Sequence, residues 1–199
     1  MKKKLTGAPR QVRIIGGLWT RTPLPVLDAE GLRPTPDRVR ETVFNWLGFL
    51  QKSGWSQIRC LDLFAGSGAL GFEAASRGAA SVLMVESQTV VLRQLEAIRD
   101  KLHADQIRLL RADAMVLAAG MKERFDLIFL DPPYQLQLLP QLLPLCLPLL
   151  APGGFVYVET EQHLEASPPP WLAGWHIVRA DHAGAVQYAL LQADDNASN

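Results

Sequence analysis

"LDLFAGSGALGFEAASRG", residues 61–78, passes from an apolar run through a glycine-rich turn into a helical pattern. Gly66 and Gly68 let the backbone run close beneath a ligand, and the helix that follows offers unpaired N–H groups at its N-terminus. Strand, glycine turn and helix in that order predict a site for a nucleotide-like cofactor. Taken literally, Gly66-Ser67-Gly68-Ala69-Leu70-Gly71 also satisfies the G-x-G-x-x-G dinucleotide fingerprint, and Glu86 ends the next apolar run where a ribose-binding acid belongs. The turn alone leaves the ligand open.

Outward from this unit the same alternation continues. "IRCLDLF", "ASVLMVE", "QIRLLRA", "FDLIFLD" and "GGFVYVE" read as buried strands separated by helical or capped segments, the pattern of βαβ units in a parallel sheet covered on both faces. "GWHIVRA" and "VQYALLQ", separated by "DHAGA", close the chain as an antiparallel hairpin. The expected class is α/β: a mostly parallel seven-stranded sheet, Rossmann-like, with a C-terminal antiparallel hairpin. In "QLLPQLLPLCLPLLAPGG", Pro144 and Pro148 each remove a helix hydrogen bond, so a short or kinked crossover helix is expected.

Before Ile58 the pattern changes. "QVRIIGG" and "TPLPV" suggest a small strand pair, and "PTPDRVRETVFNWLGFLQ" a helix with Val39, Val43, Trp46, Leu47 and Leu50 along one face. Thr35 can cap it, Pro36 suits its first position and Asp37 its positive end. The chain is therefore read as a basic N-terminal extension over residues 1–52, a catalytic domain over 53–192 and a disordered tail over 193–199.

Charge sharpens that division. The first 40 residues hold nine lysines and arginines against three acids, a net +6, so the zero net charge leaves −6 on the remaining 159. A basic arm on an acidic body points to a polyanionic partner, nucleic acid above all. Cys60 and Cys146 form no CxxC or Cys/His cluster, and His103, His163, His176 and His182 show no metal spacing, so no metal is expected. The basic start lacks an apolar secretory core, and the leucine-rich stretch 136–150 is short and broken by prolines, so the cytoplasm is expected and no membrane.

Two carboxylates give the site its chemistry. Asp62, immediately before the glycine turn, would repel a pyrophosphate but could hold the ammonium or ribose end of a cationic sulfonium cofactor. S-adenosylmethionine carries no phosphate. Asp62, Phe64, Ala65, Gly66, Ser67 and Gly68, with Glu86 and Asp113 closing the next two strands, look like the cofactor site of class I methyltransferases. In those enzymes the second acid takes the ribose hydroxyls and the third sits by the adenine. For Asp113 a helix cap is an equally simple reading.

The fourth strand ends in Asp131-Pro132-Pro133-Tyr134. The amino group of a nucleobase is a poor nucleophile because its lone pair is delocalised into the ring. Asp131 can accept one of its N–H groups, and the Pro132 carbonyl, held by the two prolines, can accept the other. Tyr134 offers a face for the base, a stacking contact worth about 1–3 kcal/mol. A bare D-P-P-Y could merely end a strand, but beside a sulfonium-type site it points to amino-group methylation.

In order along the chain, "RIIGG", "GLRPTPDRVRETVFNWL", "CLDLFAGSGALGFEAASRGA" and "FLDPPY" resemble the RsmD family, bacterial methyltransferases acting on the N2 amine of a guanine in small-subunit (16S) ribosomal RNA. The resemblance implies S-adenosylmethionine as cofactor and 16S rRNA in the assembling small subunit as partner. It covers nearly the whole chain, although Trp19-Thr20-Arg21-Thr22-Pro23 stands where relatives commonly carry a W-R-G-R-K-like cluster. Arg13, Arg21, Arg33, Thr35, Arg38 and Arg40 are the expected RNA contacts, some of them closing over the cofactor instead. Rival readings are an amino-methyltransferase for DNA adenine or cytosine or for a protein glutamine, a dinucleotide-dependent oxidoreductase, and a non-catalytic RNA-binding protein.

Overall fold

The structure is a computed structural model that describes residues 11–27, 35–51, 54–164 and 168–194. Five strands, β3 (Arg59–Asp62), β4 (Ser81–Glu86), β5 (Ile107–Arg111), β6 (Phe125–Leu130) and β7 (Leu150–Thr160), run parallel. β8 (Trp175–Ala183) and β9 (Val186–Ala193) form the antiparallel hairpin, with β9 lying antiparallel beside β7. The resulting sheet has the order β5-β4-β3-β6-β7-β9-β8. After β3 the chain builds outward through β4 and β5, then returns to β3's other side as β6. The order therefore reverses at β3, and such a reversal opens a crevice at the carboxyl ends of the two central strands.

Alternation along each strand feeds two cores. Cys60, Leu127, Phe129 and Tyr157 point to one face, whereas Leu61, Ile128, Leu130, Val156 and Val158 point to the other. The second face is closed by α4 (Ala114–Gly120) and α5 (Leu139–Cys146). Pro144 lies inside α5, which ends after eight residues in a 3-10 turn over Leu147–Leu149, as the prolines predict. The first face is closed by α2 (Ala69–Ser76), α3 (Thr89–Leu102) and the N-terminal segment.

That segment comprises an antiparallel pair, β1 (Gln11–Arg13) and β2 (Pro23–Pro25), and α1 (Asp37–Leu50). The buried residues of α1 are Val39, Arg40, Val43, Phe44 and Leu47, so its inward face includes Phe44 and Arg40, which the apolar pattern did not select. The Phe44 ring stacks 5.6 Å from Trp55, lies 5.9 Å from Phe129 and carries the Arg77 guanidinium 5.0 Å above it. Burying one such ring contributes about 1.5–3 kcal/mol, enough to fix the helix against the sheet.

A buried carboxylate anchors the chain entering this helix. Glu73 on α2 accepts the backbone N–H groups of Ile15 (2.6 Å) and Gly16 (2.9 Å) and pairs with Arg77 (2.7 Å). Gly17 has φ +78°, and a Cβ there would lie 1.9 Å from the Ser76 carbonyl oxygen, so only glycine lets "RIIGG" lie on the end of α2. Among the described residues no helix is long and apolar enough to cross a membrane, and no group of three or more histidine, cysteine or carboxylate side chains could hold a metal.

Candidate active site

A cavity of about 440 Å³ opens at the reversal point, lined by Asp62, Gly66, Glu86, Asp113, Asp131 and Tyr134 among others. Asp62 ends β3 and Asp131 follows β6; because Asp62 sits opposite Phe129 in the strand register, Asp131 projects two residues beyond it. Phe64, Ala65, Ser67, Pro132 and Pro133 also line the cavity. Gly68 stands apart from the lining. Its φ of +79° starts α2 in the left-handed region, and a Cβ there would meet the Phe72 ring at 2.5 Å. It shapes the turn from beneath.

The carboxylates of the glycine-turn side are held by backbone. Glu86 accepts the N–H of Gly66 on one oxygen (3.1 Å) and that of Gln88 on the other (2.8 Å), which ties the end of β4 to the turn. Asp62 is buried, and burial pushes its carboxyl up to about 7 against the opposing N–H groups of Phe64 and Gly71. Its Oδ2 is buried with no hydrogen-bond partner. An isolated carboxylate oxygen of this kind is costly unless a donor arrives, and a ligand ammonium supplies one. Asp113 is exposed and accepts the Val116 N–H at 3.0 Å, capping α4 while also lining the cavity.

The other side is held by hydroxyls. Glu159, buried near the end of β7, accepts hydrogen bonds from Thr35 (2.6 Å), Tyr157 (2.8 Å) and Tyr134 (3.1 Å). Thr35 Oγ1 also lies 3.3 Å from Asp131 Oδ2. Burial first, then the charges of Glu159 and Asp62, hold the Asp131 carboxyl well above the usual carboxylate range, and the Thr35 hydroxyl pulls the other way. Burial first, then the charges of Glu159 and Asp131, push the Tyr157 phenol up, so it remains a donor. Tyr134 thus has its hydroxyl anchored inward, with its half-buried ring at the cavity wall.

A family model described as "Conserved hypothetical protein 95" matches residues 12–192. The chain is 41% identical over 194 residues to Ribosomal RNA small subunit methyltransferase D of Escherichia coli K12, covering 96% of this chain and 95% of that protein. It is 40% identical to the protein of the same name from Haemophilus influenzae, covering 96% of this chain and 100% of the relative. The solved structure of yhhF from Escherichia coli matches with a TM-score of 0.80 at 41% identity, covering 92% of this chain and 98% of that one. The chain belongs to this family. It is a methyltransferase with the class I fold, and the oxidoreductase and non-catalytic readings fall away.

For a member of this family, the expected RNA contacts divide sharply. Arg13, Arg21 and Arg38 are exposed; Arg13 pairs with Asp37 at 2.9 Å, and Arg21 has φ +70° in the turn before β2. Arg33 lies outside the described residues. Arg40 is a correction: it is fully buried, donates to the Arg13 carbonyl (2.8 Å) and to Asp37 (2.7 Å), and has Nη1 3.7 Å from Glu73. Removing a guanidinium from water needs carboxylates around it, so it is a structural ion and no phosphate contact. Thr35 is buried with its hydroxyl on Glu159 and lines the cavity, apart from the exposed arginines and on the side expected of a residue that closes over the cofactor. It does not cap α1, whose N-cap is Pro36 with no side-chain cap bond. Glu159 and Tyr157 escaped the sequence reading, although "GGFVYVE" ends in an acid just as "ASVLMVE" does.

Proposed function

We propose that the protein transfers a methyl group from S-adenosylmethionine to the N2 amine of a guanine in 16S rRNA of the small ribosomal subunit. The observation that carries this reading is one cavity faced by two differently prepared carboxylates, Asp62 with an unpartnered oxygen and Asp131 beside Thr35 and Glu159. The relatives named Ribosomal RNA small subunit methyltransferase D support the RNA class.

The residues present fit the cofactor. Asp62 Oδ2 would take its ammonium, Glu86 its ribose hydroxyls, and the turn from Phe64 to Gly68 would lie beneath it. When bound, S-adenosylmethionine supplies an electrophilic methyl whose sulfur–carbon bond breaks as the nitrogen–carbon bond forms. Asp131 accepts one amine N–H, the Pro132 carbonyl the other, and the Tyr134 ring carries the base. A raised Asp131 pKa makes its ionised form a better acceptor for the proton the amine loses. Positioning of this kind can supply roughly 7–11 kcal/mol of the barrier reduction. Arg13, Arg21 and Arg38 meet RNA phosphates in this reading.

The test is transfer of label from S-adenosylmethionine to small subunits, and to naked 16S rRNA, from a strain lacking the modification, followed by nucleoside mapping. N2-methylguanosine is expected. Label in adenine N6, cytosine N4 or a protein amide would overturn the substrate assignment.

A further inference from the structure

Glu159 lies behind the cavity wall, near the end of the strand next to β6, and contributes nothing to the lining. It is nonetheless where two distant parts of the chain, Thr35 of the N-terminal segment and Tyr134 of the turn after β6, meet beside Tyr157 of its own strand. The first two also bear on the reacting position, since Thr35 Oγ1 is 3.3 Å from Asp131 and Tyr134 forms the wall beside it. An ionised carboxylate has about four lone-pair sites, enough to take all three hydroxyls at once. It is an expensive group to bury unless such donors surround it.

The geometry points to Glu159 as the positioning residue of this methyltransferase: through its carboxylate it fixes the Tyr134 ring and, through Thr35, the Asp131 carboxylate in the orientation that receives the target amine. The inference rests on the proposed nucleobase chemistry. It also gives the N-terminal segment a part in that chemistry, because Thr35 belongs to the stretch leading into α1. Among the described residues, the groups facing Asp131 are Asp62 from β3, Glu159 and Tyr157 from β7, and the Thr35 hydroxyl. Of these, the Glu159 charge raises the Asp131 pKa and the Thr35 hydroxyl lowers it.

Two variants therefore move one limb of a pH profile in opposite directions. Catalysis needs Asp131 ionised, so the acidic limb of kcat reports its ionisation. Glu159→Gln keeps the shape and removes the charge, which shifts that limb to lower pH. The single Thr35 hydroxyl hydrogen is shared between Glu159 at 2.6 Å and Asp131 at 3.3 Å, and Thr35→Val removes that shared donor and shifts the limb to higher pH. Both are expected to lower kcat, Glu159→Gln by roughly ten- to a hundredfold through lost orientation. S-adenosylmethionine affinity, measured by calorimetry, stays at the wild-type value in both, because Asp62 and Glu86 are held by backbone groups.

Wild-type kcat in Glu159→Gln, or a lower kcat with the limb unmoved in both variants, overturns the inference. Should Glu159→Gln lose the fold, as judged by circular dichroism and cofactor binding, Thr35→Val alone decides by its upward shift. Wild-type protein on unmodified small subunits tests the underlying reading separately. If label reaches another nucleobase amine, the substrate assignment fails and the same variant comparison is run on that substrate.

Discussion

Asp62 and Asp131 face one cavity from neighbouring strand ends, yet the protein holds them in opposite ways. Asp62 is met by the backbone N–H groups of Phe64 and Gly71, both from the turn and helix that follow it, and it keeps one oxygen unpartnered. Asp131 is met by the Thr35 hydroxyl, 96 residues away in the chain, and stands beside a second carboxylate, Glu159. Local backbone makes a receptor for a cation that binds and leaves. Distant side chains make an acceptor whose direction and basicity are set by the tertiary fold. The contrast predicts that damage to one side changes binding and damage to the other changes turnover.

The largest effect belongs to the Asp131 side. Asp131→Ala should lower kcat by roughly 10²- to 10⁴-fold, the usual worth of a positioned acid–base group, while calorimetry shows S-adenosylmethionine binding as wild type. Equal losses in kcat and cofactor affinity would break the division. Asp62→Ala should do the reverse. Losing a charged hydrogen bond worth about 1.5–3 kcal/mol weakens cofactor binding roughly ten- to a hundredfold. Turnover at saturating cofactor should then remain near wild type.

A subtler test uses the proton on Asp62. Its carboxyl is pushed up to about 7, mainly by burial, and a bound ammonium favours the ionised form. Cofactor binding at or below that pH must therefore release a proton, so affinity rises with pH up to the region near 7 and falls again once the ammonium itself loses its proton, at about 8 for an α-amino group. Below the carboxyl's own pKa the change is at most about tenfold per pH unit. In the free protein the sign is opposite. The folded state holds this proton more tightly than the unfolded chain, so the group's stabilising contribution is whole below the ordinary carboxylate range and is lost as pH rises from there to about 7. Calorimetry in two buffers of different ionisation heat measures the released proton directly. No release at pH near 7 would mean that Asp62 is not the ammonium's partner.

The same contrast separates what could be read along the chain from what could not. The sheet, its hairpin and the glycine turn were legible because strand alternation and φ-positive glycines are properties of a few consecutive residues. Asp62, Glu86 and Asp131 were legible because each carboxylate ends a parallel strand beside a further local signal, the glycine turn for the first two and the two prolines and tyrosine for the third. Glu159 was not, and Thr35 was legible only as a helix cap or an RNA or cofactor contact, since the bond that joins the two spans 124 residues. Arg40 shows the converse error. Counted in a basic arm it looks like a phosphate contact, but its position on the inward face of α1 turns it toward Glu73, and composition carries no information about which way a charge points.

Asp113 gives the smallest effect and lies between the two cases. Its side chain already caps α4 through the Val116 N–H, so it is held by local backbone as Asp62 is, yet it is exposed where Asp62 is buried. Removing the cap with Asp113→Ala should cost about 1 kcal/mol of stability, visible as a lower thermal midpoint. Asp113→Asn retains a good N-cap residue and should restore that midpoint. If Asp113 also bonds the cofactor's adenine, both variants bind S-adenosylmethionine only a few-fold more weakly, since an exposed acceptor competes with water for its partner and its net worth is about 1 kcal/mol. Wild-type affinity in Asp113→Asn together with a restored midpoint would reduce the residue to a helix cap. That result would confine the cofactor's carboxylate contacts to Asp62 and Glu86, the pair whose oxygens the backbone has already arranged.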